Sequence, residues 1–301
     1  MTLKQLKVER RPPPRVFAGA PFLMEVVIQN AKEKRASFSI EVEDLVGTTP
    51  IDKRCYFLKI PAAKSQRTSY RHTFARRGAY TLTGYRLATK FPFALFRKSR
   101  DVDAPLEILV YPARVAVPRP APKTTSRGET TANRLGRRGE FFGLREGRAG
   151  DDRRDVHWRS SARTGRLLVR EYEDELSRKV VIGVDNALPE AVREAVIDGA
   201  LTPAAETQVS AVERAISVAA SLAASYLEVG WTVELCARGL HVPAGVGRIH
   251  EAKIARALAL LPYVSDEVAF TPLPPKVESV LITPRSVSAA NRPTATTVMD
   301  V

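Results

Sequence analysis

A proline-rich segment near the middle of the chain constrains the fold most strongly, because the sequence patterns on its two sides differ. Prolines recur at every second position from Pro118 to Pro122, and small polar residues follow them. Such a composition is typical of a linker. We therefore predict a linker at residues 119–138, preceded by one domain at residues 1–118 and followed by a different kind of structure.

The region before this linker has the pattern of a β domain. Short apolar or alternating runs are separated by turn residues, and no long helical period is present. The predicted strands are Phe22–Gln29, Ser37–Glu43, Arg67–Phe74, Tyr80–Leu87 and Leu106–Tyr111. This spacing predicts a small β-sandwich of immunoglobulin-like type.

The aromatic run Phe91–Phe96 allows two interpretations. It could be an exposed knob that docks a partner, or a loop that plugs one end of the sandwich. Aromatic side chains bury a large apolar area, so the plug is favoured. Pro92 predicts a loop at this place and not a central strand.

Residues 179–301 alternate strand and helix patterns. The predicted strands are Lys179–Asp185, Trp231–Ala237 and Val277–Thr283, and the predicted helices are Glu206–Glu228 and His250–Leu261. Strand, helix, strand, helix and strand in this order are typical of an open, largely parallel α/β sheet. The predicted fold class is therefore α+β multidomain.

Residues 139–178 are dense in charges of both signs, with one His and one Trp, although they lie in the middle of the chain. Unpaired charges are costly to bury, so these residues are expected to satisfy one another in a folded network. The candidate site residues are Arg145, Glu146, Gly150, Asp151, Asp152, Arg153, His157, Trp158, Ala162 and Arg163.

The run GLREGRAGDDRRDVHWRSSAR, followed by LLVREYEDE, resembles the defining motif of the bacterial "domain of unknown function 58" family. The resemblance covers residues 144–175, and the sequence departs from the pattern at Gly147, where Tyr is usual, and at Ala149, where Pro is usual. Arg76–Gly78, Phe91–Phe96 and Val110–Pro112 also look like family positions, although Ala94 replaces the usual Gly.

The resemblance implies a C-terminal von Willebrand factor A-like domain and, as partner, a MoxR-type AAA+ ATPase in a chaperone-like assembly system. We therefore expect a non-enzymatic interaction protein that uses the charged region for docking. Family members usually carry a transmembrane hairpin before the region that begins here. A cytoplasmic location is expected, or the cytoplasmic face of a membrane if such a hairpin precedes the chain.

The acids of the charged region allow a second interpretation. Asp151, Asp152, Asp155 and His157 could form a metal cluster or an acid/base set, which would make the protein a metal-dependent hydrolase. The favoured interpretation is a network of salt bridges with Arg145, Arg153, Arg154, Arg159 and Arg163, because a guanidinium suits a bidentate carboxylate contact and five cations would repel a metal ion. We expect His157 to be hydrogen-bonded and Trp158 to pack against one of the domains.

Asp185 ends the first predicted strand of the C-terminal region. A von Willebrand A-type metal site would place serines two and four residues later, and Ala187 and Pro189 stand there. We predict no metal at this degenerate site and expect Asp185 to cap the following turn. Walker and nucleophile-elbow motifs are absent from the sequence, so no cofactor is expected.

The formal net charge of +14 and the pI near 10.0 favour anionic partners. The basic residues are interleaved with acids and form no recognisable nucleic-acid motif, so an anionic membrane surface or an acidic protein is the preferred kind of partner. Cys55 and Cys236 are far apart, which favours two buried core residues over a disulfide. The sequence shows neither a signal peptide nor an apolar run long enough to cross a bilayer.

Overall fold

The computed structural model describes residues 3–92, 95–118, 141–147, 151, 153–172, 179–273, 277–285 and 293–301. The predicted linker at 119–138 lies outside these residues. Three units are present: an N-terminal sandwich, a small charged unit and a C-terminal α/β unit. No helix in the described part of the chain has the length and apolar character needed to span a membrane.

Two β-sheets form the N-terminal sandwich. Its strands are β1 (Leu6–Arg11), β2 (Val16–Phe17), β3 (Phe22–Asn30), β4 (Ser37–Val46), β5 (Thr49–Ile60), β6 (Ser65–His72), β7 (Gly78–Thr89) and β8 (Lys98–Tyr111). One sheet has the order β1-β3-β6 and the other the order β2-β8-β7-β4-β5. All pairings are antiparallel except that of β2 with β8.

The alternation in β3 explains why the two sheets face each other. Met24, Val26 and Ile28 are buried, and they share one core with Ile40 of β4 and Leu87 of β7 in the second sheet. Period-two patterning places these side chains on one face of each sheet. The prediction is thereby confirmed at the level of a β-rich, two-sheet sandwich.

The charged unit lies between the two larger units in the sequence. It contains β9 (Phe141–Glu146), a 3₁₀ turn (Arg153–Asp155), α1 (Trp158–Thr164) and β10 (Leu168–Tyr172). β9 and β10 pair antiparallel as a separate two-stranded sheet. We call its described residues, 141–147, 151 and 153–172, the signature unit.

The C-terminal unit is built on a five-stranded mixed sheet. Its strands are β11 (Lys179–Val184), β12 (Thr232–Ala237), β13 (Leu240–Gly245), β14 (Glu278–Thr283) and β15 (Thr297–Asp300), in the spatial order β13-β12-β11-β14-β15. Only the edge strand β13 is antiparallel to its neighbour. The predicted α/β sheet is confirmed in this mixed form.

Three helices accompany this sheet: α2 (Glu190–Asp198), α3 (Pro203–Glu228) and α4 (Gly247–Ala259). Thr202 caps α3 by accepting a hydrogen bond from the Ala205 amide, so the helix begins earlier than its apolar period predicted. Val209, Val212 and Ile216 of α3 are buried against the sheet.

A buried arginine joins the sandwich to the C-terminal unit. Arg77 donates to the carbonyl oxygens of Leu258 (2.7 Å) and Leu261 (2.5 Å) at the end of α4, and it pairs with Glu213 of α3. Its guanidinium also lies 5.4 Å from the ring centre of Tyr263. Burial lowers the pKa of Arg77 to about 10, so the side chain stays charged at neutral pH. The two halves are therefore in direct contact.

The aromatic loop between β7 and β8 contradicts the predicted plug. Phe91 is 46% exposed, Leu95 77% and Phe96 79%. Phe91 stacks on Phe38 with ring centres 4.9 Å apart, so it covers one aromatic ring at the margin of the sandwich and does not enter the core. Phe93 and Ala94 lie outside the described residues.

Candidate docking site in the signature unit

A short hairpin-like frame positions the signature unit. Val169 of β10 pairs with Arg145 of β9 and bridges to Val156, and both valines are buried. The His157 amide donates to the Leu168 carbonyl oxygen at 2.8 Å, and the Gly147 amide donates to the Leu167 carbonyl oxygen at 2.7 Å. The chain on both sides of the central turn is thus tied to β10.

Side-chain hydrogen bonds fix helix α1 on this frame. His157 is its N-cap, and its Nδ1 accepts from the Ser160 amide at 3.2 Å, which requires an unprotonated Nδ1. Ser161 Oγ donates to the His157 carbonyl oxygen and accepts from the Leu168 amide at 2.8 Å. The expectation that His157 is hydrogen-bonded is confirmed.

A half-buried ion pair holds the turn. Arg145 donates to both carboxylate oxygens of Asp151, at 2.8 and 2.7 Å. This bidentate geometry is the strong form of the contact. The predicted network is therefore confirmed for Arg145 and Asp151. Glu146 forms an exposed pair with Arg166 at 2.5 Å, and Arg166 was not among the predicted partners.

Trp158 does not pack against a domain, so that expectation is wrong. Its side chain is 62% exposed. Ser160 and Ser161 occupy the side of α1 that faces the frame, which leaves Trp158, Arg159, Ala162 and Arg163 exposed on the other side. Residues four apart are neighbours on a helix, so Trp158 with Ala162 and Arg159 with Arg163 form two adjacent rows. We call these four residues the α1 face.

Most of the other candidate residues lie near this face in sequence. Arg153 and Arg154 of the 3₁₀ turn are exposed, whereas Asp155 is partly buried. The Oδ2 atom of Asp155 is buried and has no hydrogen-bond partner among the described residues. Gly150 and Asp152 lie outside the part of the chain that the structure describes.

A second charged site lies at the end of the C-terminal sheet. Asp185 and Arg238 are both fully buried, and Arg238 Nε donates to Asp185 Oδ1 at 2.9 Å. Arg238 Nη1 also donates to the carbonyl oxygens of Asp266 and Val268, at 2.6 and 2.9 Å. Asp185 Oδ1 accepts from the Ala187 amide at 3.3 Å, which confirms the predicted capping role.

Arg238 was not predicted from the sequence as the partner of Asp185. The signal that could have identified it is its position: Arg238 directly follows β12, and β12 runs parallel to β11, which ends just before Asp185. The carboxyl ends of neighbouring parallel strands lie together, so the two side chains meet there. The Arg238 guanidinium is thus directly bound to the Asp185 carboxylate.

The structure also brings together Glu234, Cys236 and His241, whose possible ligand atoms lie within 4.8 Å of one another. His241 Nε2 is 2.7 Å from one Glu234 oxygen, and the Lys179 ammonium is 2.7 Å from the other. Burial opposes ionisation of Glu234, but hydrogen bonds from Lys179 and His241 outweigh it and lower its pKa. Burial raises the pKa of the Cys236 thiol to about 11, so the thiolate that a metal would need is disfavoured.

Both cysteines are buried and free, as their predicted core role requires. Cys55 packs inside the sandwich, and Cys236 lies beneath the segment that carries Phe270 and Leu273. Burial raises the pKa of the Cys55 thiol to about 11 as well. Neither thiol has the depressed pKa of a catalytic nucleophile.

Three solved structures that the chain matches are only remotely similar to it. The solution structure of the CARDB domain of the PF1109 protein from Pyrococcus furiosus is 15% identical, with a TM-score of 0.26, over 35% of this chain and 94% of that chain. The crystal structure of the same domain is 16% identical, with a TM-score of 0.26, over 35% of this chain and 91% of that chain. Spo0M, a sporulation control protein from Bacillus subtilis, is 12% identical, with a TM-score of 0.22, over 36% of this chain and 50% of that chain. TM-scores this low carry no conclusion.

No curated protein matches the chain. A family model does match, and its range begins within β9 and ends with β14. It therefore includes the α1 face, the Asp185–Arg238 pair and most of the C-terminal sheet. Residues 143–283 of this chain thus match the family described as protein of unknown function DUF58, which confirms that part of the resemblance.

Proposed function

We propose that the protein is a non-enzymatic interaction protein and that the α1 face is the surface through which it docks a partner. The observation that carries this proposal is the exposure of Trp158 beside Arg159 and Arg163 on a helix held by its cap and by Ser161. Trp and Arg are the residues most enriched at the energetic centres of protein interfaces. Covering an exposed aromatic ring stabilises a complex strongly, because a large apolar area is removed from water.

The partner in this proposal is a MoxR-type AAA+ ATPase, an assignment that comes from the family resemblance alone. The α1 face contributes two cationic guanidinium groups, and Arg153 and Arg154 precede it in the sequence. Charge complementarity therefore favours an acidic surface on the ATPase. A cytoplasmic location, where the ATPase finds its nucleotide, belongs to the same proposal.

The C-terminal unit is proposed to be a metal-free von Willebrand factor A-like domain. Numbered within its own sheet, the strand order is 3-2-1-4-5 with an antiparallel edge strand, which supports an open α/β fold of this general type. Arg238 supports the absence of a metal, because its buried guanidinium already neutralises Asp185. In this proposal docking does not pass through a bridging cation.

Direct binding to the purified ATPase of the same organism tests the docking proposal. Trp158→Ala and Arg163→Glu are each expected to weaken binding by roughly thirtyfold or more, the effect of losing an interface centre worth about 2 kcal/mol. Binding is measured by surface plasmon resonance with ATP and with ADP, at low and moderate salt.

Matched controls separate docking from general surface effects. Tyr56→Ala removes an exposed aromatic ring, and Arg248→Glu reverses an exposed charge in the C-terminal unit. Both controls should bind as the unaltered chain does. Equal affinity of Trp158→Ala and Tyr56→Ala, with circular dichroism showing both folded, would refute the α1 face as the docking site.

One observation favours the alternative, a metal-dependent hydrolase. Asp155 Oδ2 is buried without a hydrogen-bond partner among the described residues, two positions from His157. Against this, Asp151 is engaged by Arg145, and His157 Nδ1 is engaged by the helix. Hydrolysis of p-nitrophenyl phosphate esters with Mn²⁺ or Zn²⁺ tests this alternative. Metal-dependent turnover that His157→Ala abolishes would establish it.

A further inference from the structure

One end of the sandwich gathers the first residues of the chain and three loops. The strand register places them together: Leu6 pairs with Asn30, Ser37 with Ile60, and Thr89 with Lys98. Segments 31–36, 61–64 and 90–97 therefore connect strands at the same end. We call this end, with its loops and residues 3–5, the basic end.

A buried asparagine ties two of these loops to each other. Asn30 Nδ2 donates to the carbonyl oxygens of Arg35, Ile60 and Pro61, at 2.9, 3.1 and 3.2 Å. The Ala63 amide reaches across to the Lys32 carbonyl oxygen at 2.9 Å. These hydrogen bonds fix the two loops relative to each other, so the side chains on them form a surface of defined shape.

The third loop presents apolar side chains to solvent. Leu95 and Phe96 are more than three-quarters exposed, and Phe91 is about half exposed while it stacks on Phe38. Thr89 Oγ1 donates to the Phe38 carbonyl oxygen and accepts from the Phe91 amide, at 3.0 and 3.2 Å, which anchors the start of the loop. Exposed apolar groups of this size on an anchored loop mark an interaction surface, because their removal from water lowers the free energy.

Cations surround these apolar side chains. Besides Arg97, the exposed basic residues on the basic end and on the strand ends next to it include these seven: Lys4, Lys34, Arg35, Lys59, Lys64, Lys90 and Lys98. None of them forms an ion pair with another described residue. Glu33 is the exposed acid in these loops, and the nearby acids Glu41 and Glu43 are both engaged by Arg97. The charge of the end is therefore strongly positive.

We infer that the basic end binds the surface of an anionic phospholipid bilayer. Leu95 and Phe96 would enter the boundary between headgroups and acyl chains, while the lysines contact lipid phosphates. Apolar insertion and attraction to anionic lipid are the two contributions that hold peripheral proteins on membranes. Six of the seven cations are lysines, whose compact ammonium groups suit a fluid array of phosphates better than the fixed geometry of a protein partner.

The rest of the fold is compatible with this orientation. The Arg77 contacts lie in the turn after β6, which ends opposite the start of β3, whereas the basic end lies where β3 finishes. The sandwich therefore has the bilayer at one end and the C-terminal unit at the other. The inference does not depend on the identity of any protein partner of the α1 face.

Vesicle flotation with the full chain tests the inference. The probes are phosphatidylcholine vesicles and vesicles of phosphatidylcholine with phosphatidylglycerol at a three-to-one ratio. Binding is expected only with vesicles that contain phosphatidylglycerol. Each basic residue that contacts the surface should raise the affinity about fivefold, and salt should weaken the binding because it screens this attraction. Equal recovery with both vesicle types would overturn the inference.

Two variants separate the apolar and the charged contributions. Leu95→Ser with Phe96→Ser, and Lys90→Glu with Lys98→Glu, should each reduce binding more than tenfold. Ile249→Ser and Lys253→Glu, which alter exposed positions on α4, serve as controls and should leave binding unchanged. If the serine variant binds like the unaltered chain, insertion of the loop is refuted. Hydrogen exchange at Leu95 and Phe96 gives a further test. If a protein partner slows this exchange and phosphatidylglycerol vesicles do not, the inference is also refuted.

Discussion

The Asp185–Arg238 pair and the signature unit both bring acids together with arginines, and the two regions differ in their access to water. At the Asp185–Arg238 pair both side chains are buried, and the guanidinium is further bonded to two backbone carbonyl oxygens. In the signature unit the pairs lie at or near the surface, and the exposed side of α1 carries arginines next to a tryptophan. The same residue types thus form a closed structural contact in one region and an open surface in the other.

Burial separates these roles because the cost of removing a charge from water must be offset by fixed partners. The three ion pairs form a series in which the side-chain exposure of the arginine rises from 0% for Arg238 to 30% for Arg145 and 73% for Arg166. If access to water decides the role, the energetic effect of losing each arginine should fall along this series.

Removal of Arg238 should have the largest effect. Arg238→Ala leaves the Asp185 carboxylate buried without its cation, so the free energy of unfolding of the C-terminal unit should fall by about 3–5 kcal/mol. Urea denaturation measures this change. Asp185→Asn combined with Arg238→Met removes both charges and should be less destabilised than Arg238→Ala alone. A loss below about 1 kcal/mol for Arg238→Ala would contradict the structural role of the pair.

Removal of Arg145 should have an intermediate effect that stays local. Arg145→Ala breaks a half-buried bidentate contact, with an expected cost of about 1–3 kcal/mol in the signature unit. Hydrogen exchange of the β9 and β10 amides measures it, because local opening can be resolved from global unfolding. Arg170→Ala, on the same hairpin, is the control. Equal protection in Arg145→Ala and in the unaltered chain would show that Asp151 needs no cation.

Removal of Arg166 should have the smallest effect. Both members of its pair with Glu146 are largely exposed, and such pairs typically contribute less than about 1 kcal/mol. Arg166→Ala should therefore leave both the midpoint of thermal unfolding and the exchange of β10 unchanged. A shift as large as that of Arg145→Ala would break the proposed dependence on exposure.

Much of the fold could be predicted because its strands and helices follow simple periods. The buried alternation of β3 and the apolar face of α3 are direct consequences of periods of 2 and 3.6 residues. β5 and β13 were missed, because β5 exposes Tyr56 and Leu58 on its outer face and β13 contains Pro243, so neither reads as a regular half-buried strand.

The candidate sites could be predicted only where partners are close in sequence. Arg145 and Asp151 are six residues apart, and their pairing was expected. Arg238 is 53 residues from Asp185, so only the strand order brings them together. Trp158, Leu95 and Phe96 were expected to be buried because large apolar side chains usually are, and their exposure depends on tertiary structure that the residue types do not encode.

The Arg77 contact has a consequence for how the protein is made. Its partners Glu213, Leu258 and Leu261 all belong to the last third of the chain, whereas every strand of the sandwich is complete by Tyr111. Domains generally fold in the order in which the ribosome releases them. The sandwich is therefore expected to form while water still surrounds the Arg77 guanidinium. The guanidinium loses this water only after α4 has left the ribosome. The two halves are therefore expected to dock only after Leu258 and Leu261 have been synthesised, and a chain truncated before Leu258 would lack both carbonyl acceptors of Arg77.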